Sequence, residues 1–205
     1  MLEEYEAEIA ALEAKFHNRS TGNVVFYGSS SMRLWPRLSR DFPGVEIENF
    51  GFGGSTLEQC AHYFERLIVP RAPRAIVFYG GDNDLFLGAC PESVWNSLRA
   101  MLDARDAVLG AIPLAFLSIK PSPARLELWP MVTECNEWCW REIEARDGAQ
   151  WVDISSAMLD ENRAPRRELY APDSLHLSRA GYALWREILA REVSWLPSEA
   201  APQNN

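Results

Sequence analysis

The chain has 205 residues, of which 47% are hydrophobic and 24% charged. That length corresponds to about one domain with a sizeable core and excludes disorder as the main state. Lys and Arg number 20 against 29 Asp and Glu, a formal net charge of −9; this balance repels phosphate backbones and anionic lipid and argues against nucleic acid as a partner. Eight Trp, six Tyr and nine Phe supply large rings for a well-filled interior.

Glutamates stand at positions 3, 4, 6, 8 and 13, with no basic residue before Lys15. The segment therefore lacks the positive and apolar regions of a signal peptide. No stretch approaches the roughly 20 apolar residues that span a bilayer, so a cytoplasmic protein without a membrane span is expected. Cys60, Cys90, Cys135 and Cys139 are too few for a disulfide scaffold and are expected as thiols.

Leu2, Tyr5, Ile9, Leu12 and Phe16 recur at spacings of three and four, which predicts an amphipathic helix. Its apolar stripe must be covered, either by its own domain or by a second copy, so a homo-oligomer is one expectation. A β-forming run at 24–27 then ends in Gly28 and three serines, the pattern of a buried strand entering a turn. Strands follow at 45–50, 75–79, 112–119 and 151–154, alternating with helices at 56–69, 92–108, 132–145 and 179–195; residues 121–130 read as a proline-bearing loop. This alternation predicts a three-layer α/β/α sandwich around a mostly parallel five-stranded sheet. The expected units are an N-terminal helix over 1–22, one α/β domain over 23–196 and a flexible tail at 197–205. In such sheets ligands sit beyond the carboxyl ends of the strands, so the functional residues are expected just after strands.

Gly28-Ser29-Ser30-Ser31 follows the first strand. A serine there is placed to act as a nucleophile, but capping the next helix is the commoner use of serine. Asn49 to Thr56 follows the second strand with Gly51, Gly53 and Gly54; it lacks the lysine of a phosphate loop and the dinucleotide-binding spacing. Gly80-Gly81-Asp82-Asn83-Asp84 follows the third, either as a turn and cap or as the source of an amide donor at Asn83. Of the three histidines, His17 and His62 lie within predicted helices, whereas His176 closes Asp173-Ser174-Leu175-His176 before the last helix. If that segment is helical, a spacing of three puts carboxylate and imidazole on one face. Cys135 with Cys139, Cys60 with His62, and Asp82 with Asp84 are of cation-ligating types, but none has the spacing or company of an established metal site, and no metal or other cofactor is expected.

These four blocks, in this order from about Val24 to Leu196, resemble the GDSL or SGNH hydrolase superfamily of esterases and lipases. The resemblance implies a flavodoxin-like topology. It implies Ser30 as nucleophile, Asp173 and His176 as the rest of a catalytic triad, and Ser30, Gly54 and Asn83 as oxyanion-hole donors. One departure is that Ser29 replaces the family's Asp in the first block, so the loop must be held in another way. The Gly-x-Ser-x-Gly elbow of the α/β-hydrolases is a poorer match, because position 32 is Met.

The chemistry these residues allow is attack of a serine hydroxyl on an acyl carbon, with His176 taking and returning the proton and Asp173 fixing the imidazole. The expectation is a serine esterase that releases a short acyl group such as acetyl from an oxygen ester through an acyl-enzyme. Its partner would be a small-molecule ester, conceivably an acylated carbohydrate stacked on Trp35 or Trp129. Thioester hydrolysis and acyl transfer use the same residues, and a non-catalytic carbohydrate-binding module of the same fold is the alternative from another class.

Overall fold

The computed structural model describes residues 2–17 and 20–196; the tail expected at 197–205 lies outside them. A 3₁₀ turn, Leu2–Tyr5, leads into helix α1, Glu6–Phe16. Strand β1, Val24–Gly28, is followed by two single-turn helices, α2 (Ser30–Arg33) and α3 (Leu38–Asp41), and then by β2, Ile47–Gly51. Helix α4 is Leu57–Leu67, β3 is Ala75–Tyr79, α5 is Asp82–Phe86 and α6 is Pro91–Leu109. Strand β4 (Leu114–Leu117), α7 (Trp129–Glu144), β5 (Ala149–Val152) and α8 (Arg179–Glu192) follow.

All strand pairs are parallel, in the order β2-β1-β3-β4-β5. The sheet is thus wholly parallel, and the chain reverses direction across it between β1 and β3, where a crevice opens at the strand ends. Side chains alternate along each strand. Val25, Tyr27, Ile76 and Phe78 pack in one core with residues of α1, α4, α6 and α7, while Val24, Phe26, Val77 and Tyr79 pack in the other with Trp35 and residues of α8.

The predicted fourth strand is trimmed to Leu114–Leu117, and the run 121–130 is not all loop: it holds a 3₁₀ turn, Pro123–Leu128, and the start of α7. Helix α1 does not stand apart. Its Ile9 and Phe16 are buried in the core, with Tyr5 and Leu12 packed against it. On its polar face, Glu6 and Glu13 both bind Arg66 of α4 at 2.8 Å.

Candidate active site

The crevice begins at Gly28. Its φ is +127°, and a Cβ there would fall 1.9 Å from the carbonyl oxygen of Tyr79, so only glycine lets β1 turn this close to β3. The Ser29 amide donates to that same carbonyl at 3.1 Å, and the Ser29 carbonyl accepts from the amides of Met32 and Arg33. Asn49 adds a tie from β2: its amide donates to the Met32 carbonyl at 2.7 Å, while its Oδ1 accepts the Gly51 N–H at 2.9 Å. These bonds clamp the serine loop where the family's first-block Asp is replaced by Ser29.

Ser30 is the first residue of α2, and its hydroxyl does not cap that helix. Its Oγ lies 3.1 Å from His176 Nε2, and His176 Nδ1 lies 2.7 Å from Asp173 Oδ2. The segment that presents the imidazole is not helical; α8 starts only at Arg179, capped by the Ser178 hydroxyl. Asp173 Oδ1 instead accepts the N–H groups of Leu175 and His176 at 3.0 and 2.9 Å, an Asx-type turn with Ser174 at φ +58°. The turn, not helical spacing, puts carboxylate and imidazole side by side. The His176 contact and the backbone bonds hold the Asp173 carboxyl down at about 2, so it is ionised at neutral pH.

The other two blocks converge on the same crevice. Gly54 has φ +72°, and among the described residues no acceptor is bonded to its N–H. The Ser30 N–H, at the start of its helix, likewise has no intrahelical acceptor. Asn83 Nδ2 donates to the Ser55 carbonyl at 3.0 Å, which leaves its second N–H. Asp84 accepts the Leu57 N–H on both carboxylate oxygens at 2.8 and 2.9 Å, so adjacent residues of α5 bolt down the turn that carries Gly54. Burial raises the Asp84 carboxyl to about 6, against the pull of its backbone bonds.

Ser30, His176, Gly54 and Asn83 line an open cleft of about 690 Å³, together with Glu4, Tyr5, Glu8, Arg33, Arg125 and Leu175. Glu8 reaches from α1 to accept the Gly53 N–H at 3.2 Å and sits 3.7 Å from Arg33. The two tryptophans expected at this site are elsewhere. Trp35 is 4% exposed, its indole N–H bonded to Asp41 and its ring packed on Tyr182; as a large apolar ring beside α8 it is worth more in the core. Trp129 is half-buried, does not line the cleft, and borders a small cavity with Asp82, Lys120 and Arg125.

The sequence analysis gives no role to Lys120 or Arg125. Lys120 is buried with its Nζ 2.6 Å from Asp82 Oδ2, and Arg125 pairs with the other oxygen of the same carboxylate. Burial brings the Lys120 ammonium down to about 8. The overlooked signal was a lysine directly after an apolar strand, at the end of the sheet where sites form. Asp82 and Asp84 do not converge on a common point: Asp82 pairs with Lys120 and Arg125, and Asp84 accepts the Leu57 N–H. Cys135 and Cys139 are buried 4.0 Å apart. Among the described residues no cluster of three metal-ligating side chains exists, and no helix is long and apolar enough to cross a membrane. His17 and His62 do not line the cleft.

The fold is similar to several solved structures. A candidate platelet activating factor from Streptococcus pneumoniae is 22% identical over 93% of each chain, with a TM-score of 0.79. A GDSL-like lipase from Bacteroides thetaiotaomicron is 20% identical over 94% of this chain and 97% of its own, with a TM-score of 0.74. A variant of an acetyl-xylooligosaccharide esterase from Geobacillus is 13% identical over 84% and 94%, with a TM-score of 0.67. Among curated proteins none matches the sequence. Residues 20–184 match the model of the GDSL-like lipase/acylhydrolase family. With that match spanning most of the chain, the protein belongs to the GDSL-like lipase/acylhydrolase family of hydrolases.

Proposed function

We propose that the chain is a serine-dependent carboxylic ester hydrolase. The observation that carries this reading is the unbroken hydrogen-bonded line from Ser30 Oγ through His176 to Asp173, set beside the N–H of Gly54, which has no acceptor among the described residues, and the amide of Asn83 on one open cleft. Serine is a weak nucleophile at its own pKa, so Nε2 of His176 takes the Ser30 proton as Oγ bonds to the acyl carbon. Ionised Asp173 holds the imidazole by Nδ1 and stabilises the imidazolium. The N–H groups of Ser30, Gly54 and Asn83 receive the oxyanion. His176 then protonates the leaving alcohol, and water attacks the acyl-enzyme by the same route in reverse.

The cleft favours a short acyl group. Apart from its glycines, Tyr5 and Leu175 are its apolar lining, and the remaining side chains are polar or charged; a long alkyl chain would bury little there. An acetylated carbohydrate suits such a polar surface, and the Geobacillus structure that shares the fold is an esterase of acetyl-xylooligosaccharides. A sugar would be held by the hydrogen-bonding groups of the cleft and not by stacking on Trp35, which is in the core. The test is hydrolysis of p-nitrophenyl acetate, butyrate and octanoate, with chelator present, by the wild-type chain and by Ser30→Ala. Acetate is expected to be cleaved at least tenfold faster than octanoate, and the variant to lose essentially all turnover. Equal rates in the two chains would remove Ser30 from the reaction.

A further inference from the structure

We infer that Arg125 is a positioning residue of the oxyanion hole: it fixes the orientation of the Asn83 amide and acts through that amide, not on the substrate. The inference rests on the hydrolase reading above. An Asn side chain has two nearly isosteric ends, one a donor and one an acceptor. If Asn83 flips, it turns a carbonyl oxygen toward the developing oxyanion and repels it. Two partners of fixed polarity prevent this. The Ser55 carbonyl can only accept, and it takes one N–H of Nδ2 at 3.0 Å. The Arg125 guanidinium can only donate, and its Nη1 reaches Asn83 Oδ1 at 3.1 Å and the Asp82 carbonyl at 3.2 Å. Only one amide orientation satisfies both, and it leaves the second N–H of Nδ2 unused.

Arg125 is itself held on several sides. Its guanidinium pairs with the Asp82 carboxylate and lies 4.1 Å over the Phe86 ring, and its side chain is 12% exposed. Asp82 is anchored in turn by buried Lys120 and by the Tyr79 hydroxyl at 3.4 Å. Asp82 and Asn83 are neighbours on α5, so this cluster sets the backbone and the side-chain rotamer of the oxyanion residue together. A planar fork held by a carboxylate is what a bond of fixed direction requires, and a flexible ammonium supplies it poorly.

The test is a double-mutant cycle between Arg125→Met and Asn83→Ala, with Arg125→Lys as the conservative variant. Removing Arg125 leaves Asp82 paired with Lys120, so the buried carboxylate stays neutralised and the fold is expected to persist, as thermal melts would verify. With p-nitrophenyl acetate, Arg125→Met is expected to lower kcat about tenfold to a hundredfold, somewhat less than loss of the donor itself, with KM within twofold. Arg125→Lys should fall between. In the Asn83→Ala background the same substitution should cost less than about threefold, because it acts through a group already gone. Additive losses, or a changed KM with kcat preserved, would overturn the inference. A second readout needs no turnover: the side-chain NH2 pair of Asn83 in a ¹⁵N–¹H spectrum, identified by its absence in Asn83→Ala. In Arg125→Met this pair should shift and broaden; an unmoved, equally narrow pair overturns the proposal even if the wild-type chain cleaves no ester. Conversely, a shifted pair in an inactive protein supports the positioning and refutes only the hydrolase reading.

Discussion

Asp173 and Asp84 serve the same site in opposite ways. Asp173 is half-exposed on the loop before α8, at 51% for its side chain, and meets an imidazole; Asp84 is 4% exposed on α5 and accepts the Leu57 N–H on both carboxylate oxygens. Their carboxyls move in opposite directions, down to about 2 for Asp173 through the His176 bond and up to about 6 for Asp84 through burial. The lesson is one of division of labour. The exposed carboxylate keeps its charge at little desolvation cost and can answer charge on the imidazole, whereas the buried one holds two loops in register and resists ionisation.

The largest effect that separates the two roles is expected at Asp173. An Asn there keeps an acceptor for the Leu175 and His176 amides, so the turn survives, but it cannot stabilise the imidazolium and favours the wrong tautomer. Asp173→Asn should lower kcat by roughly 10³ to 10⁴ while moving the melting temperature by no more than a degree or two. A variant that melts far lower, or turns over near the wild-type rate, would show Asp173 to be structural like Asp84.

Next in size is the donor that sits between them in the design. Asn83→Ala removes one of the proposed oxyanion donors and should lower kcat about 10² to 10³ at similar KM, a loss of roughly 3 to 4 kcal/mol. Initial-rate kinetics over a range of acetate ester concentrations decides it. An unchanged kcat would take Asn83 out of the oxyanion hole and leave it as another clamp of the kind Asp84 provides.

The smaller contrast is in stability against pH. The folded carboxyl of Asp84 lies above its unfolded value of about 3.9, so its contribution is fully present below pH 4 and is lost as pH rises through about 6. Asp173 has the reverse sign, with a contribution present above pH 4 and lost as pH falls through about 2. Asp84→Asn removes the first dependence only. The excess stability of wild type over this variant should therefore shrink between pH 4 and 6, by at most about 3 kcal/mol for a two-unit shift. A difference that stays flat across that window would mean that the Asp84 carboxylate is ionised throughout.

The two aspartates also differ in how they could be read from sequence. The strand-helix alternation, the three layers and the loops at strand ends were all legible, because hydrophobic periodicity and glycine punctuation are local properties. So was the convergence of Ser30, Gly54, Asn83, Asp173 and His176, through the family resemblance of four short blocks. The helical geometry ascribed to Asp173 and His176 was wrong in mechanism, since an Asx turn competes with helix wherever an Asp can bond amides two and three residues ahead. Asp84 was legible as an acidic residue beside the site but not as an anchor, because its partner Leu57 is 27 residues distant. Trp35 failed for the related reason that sequence proximity to Ser30 does not say which face of the sheet a ring covers. Arg125 and Lys120 escaped notice because their meaning depends on Asp82, which lies 38 residues before Lys120.

Glu8 extends the comparison to a third carboxylate, one that borders the site but lies on α1. It is 38% exposed and accepts the Gly53 N–H beside Gly54. Its negative charge therefore stands near the proposed oxyanion hole, only partly balanced by Arg33 at 3.7 Å. A glutamine keeps the acceptor for Gly53 and removes the charge. In water-like surroundings, a unit charge several ångströms away is worth about 0.5 to 1 kcal/mol, so Glu8→Gln should raise kcat roughly twofold to fivefold at low salt. The gain should vanish near 1 M salt, where the Debye length falls to about 3 Å. Initial rates of acetate ester cleavage at the two salt concentrations measure this directly. A loss of activity confined to KM would instead make Glu8 a contact for the substrate, and would put α1 among the elements that choose it.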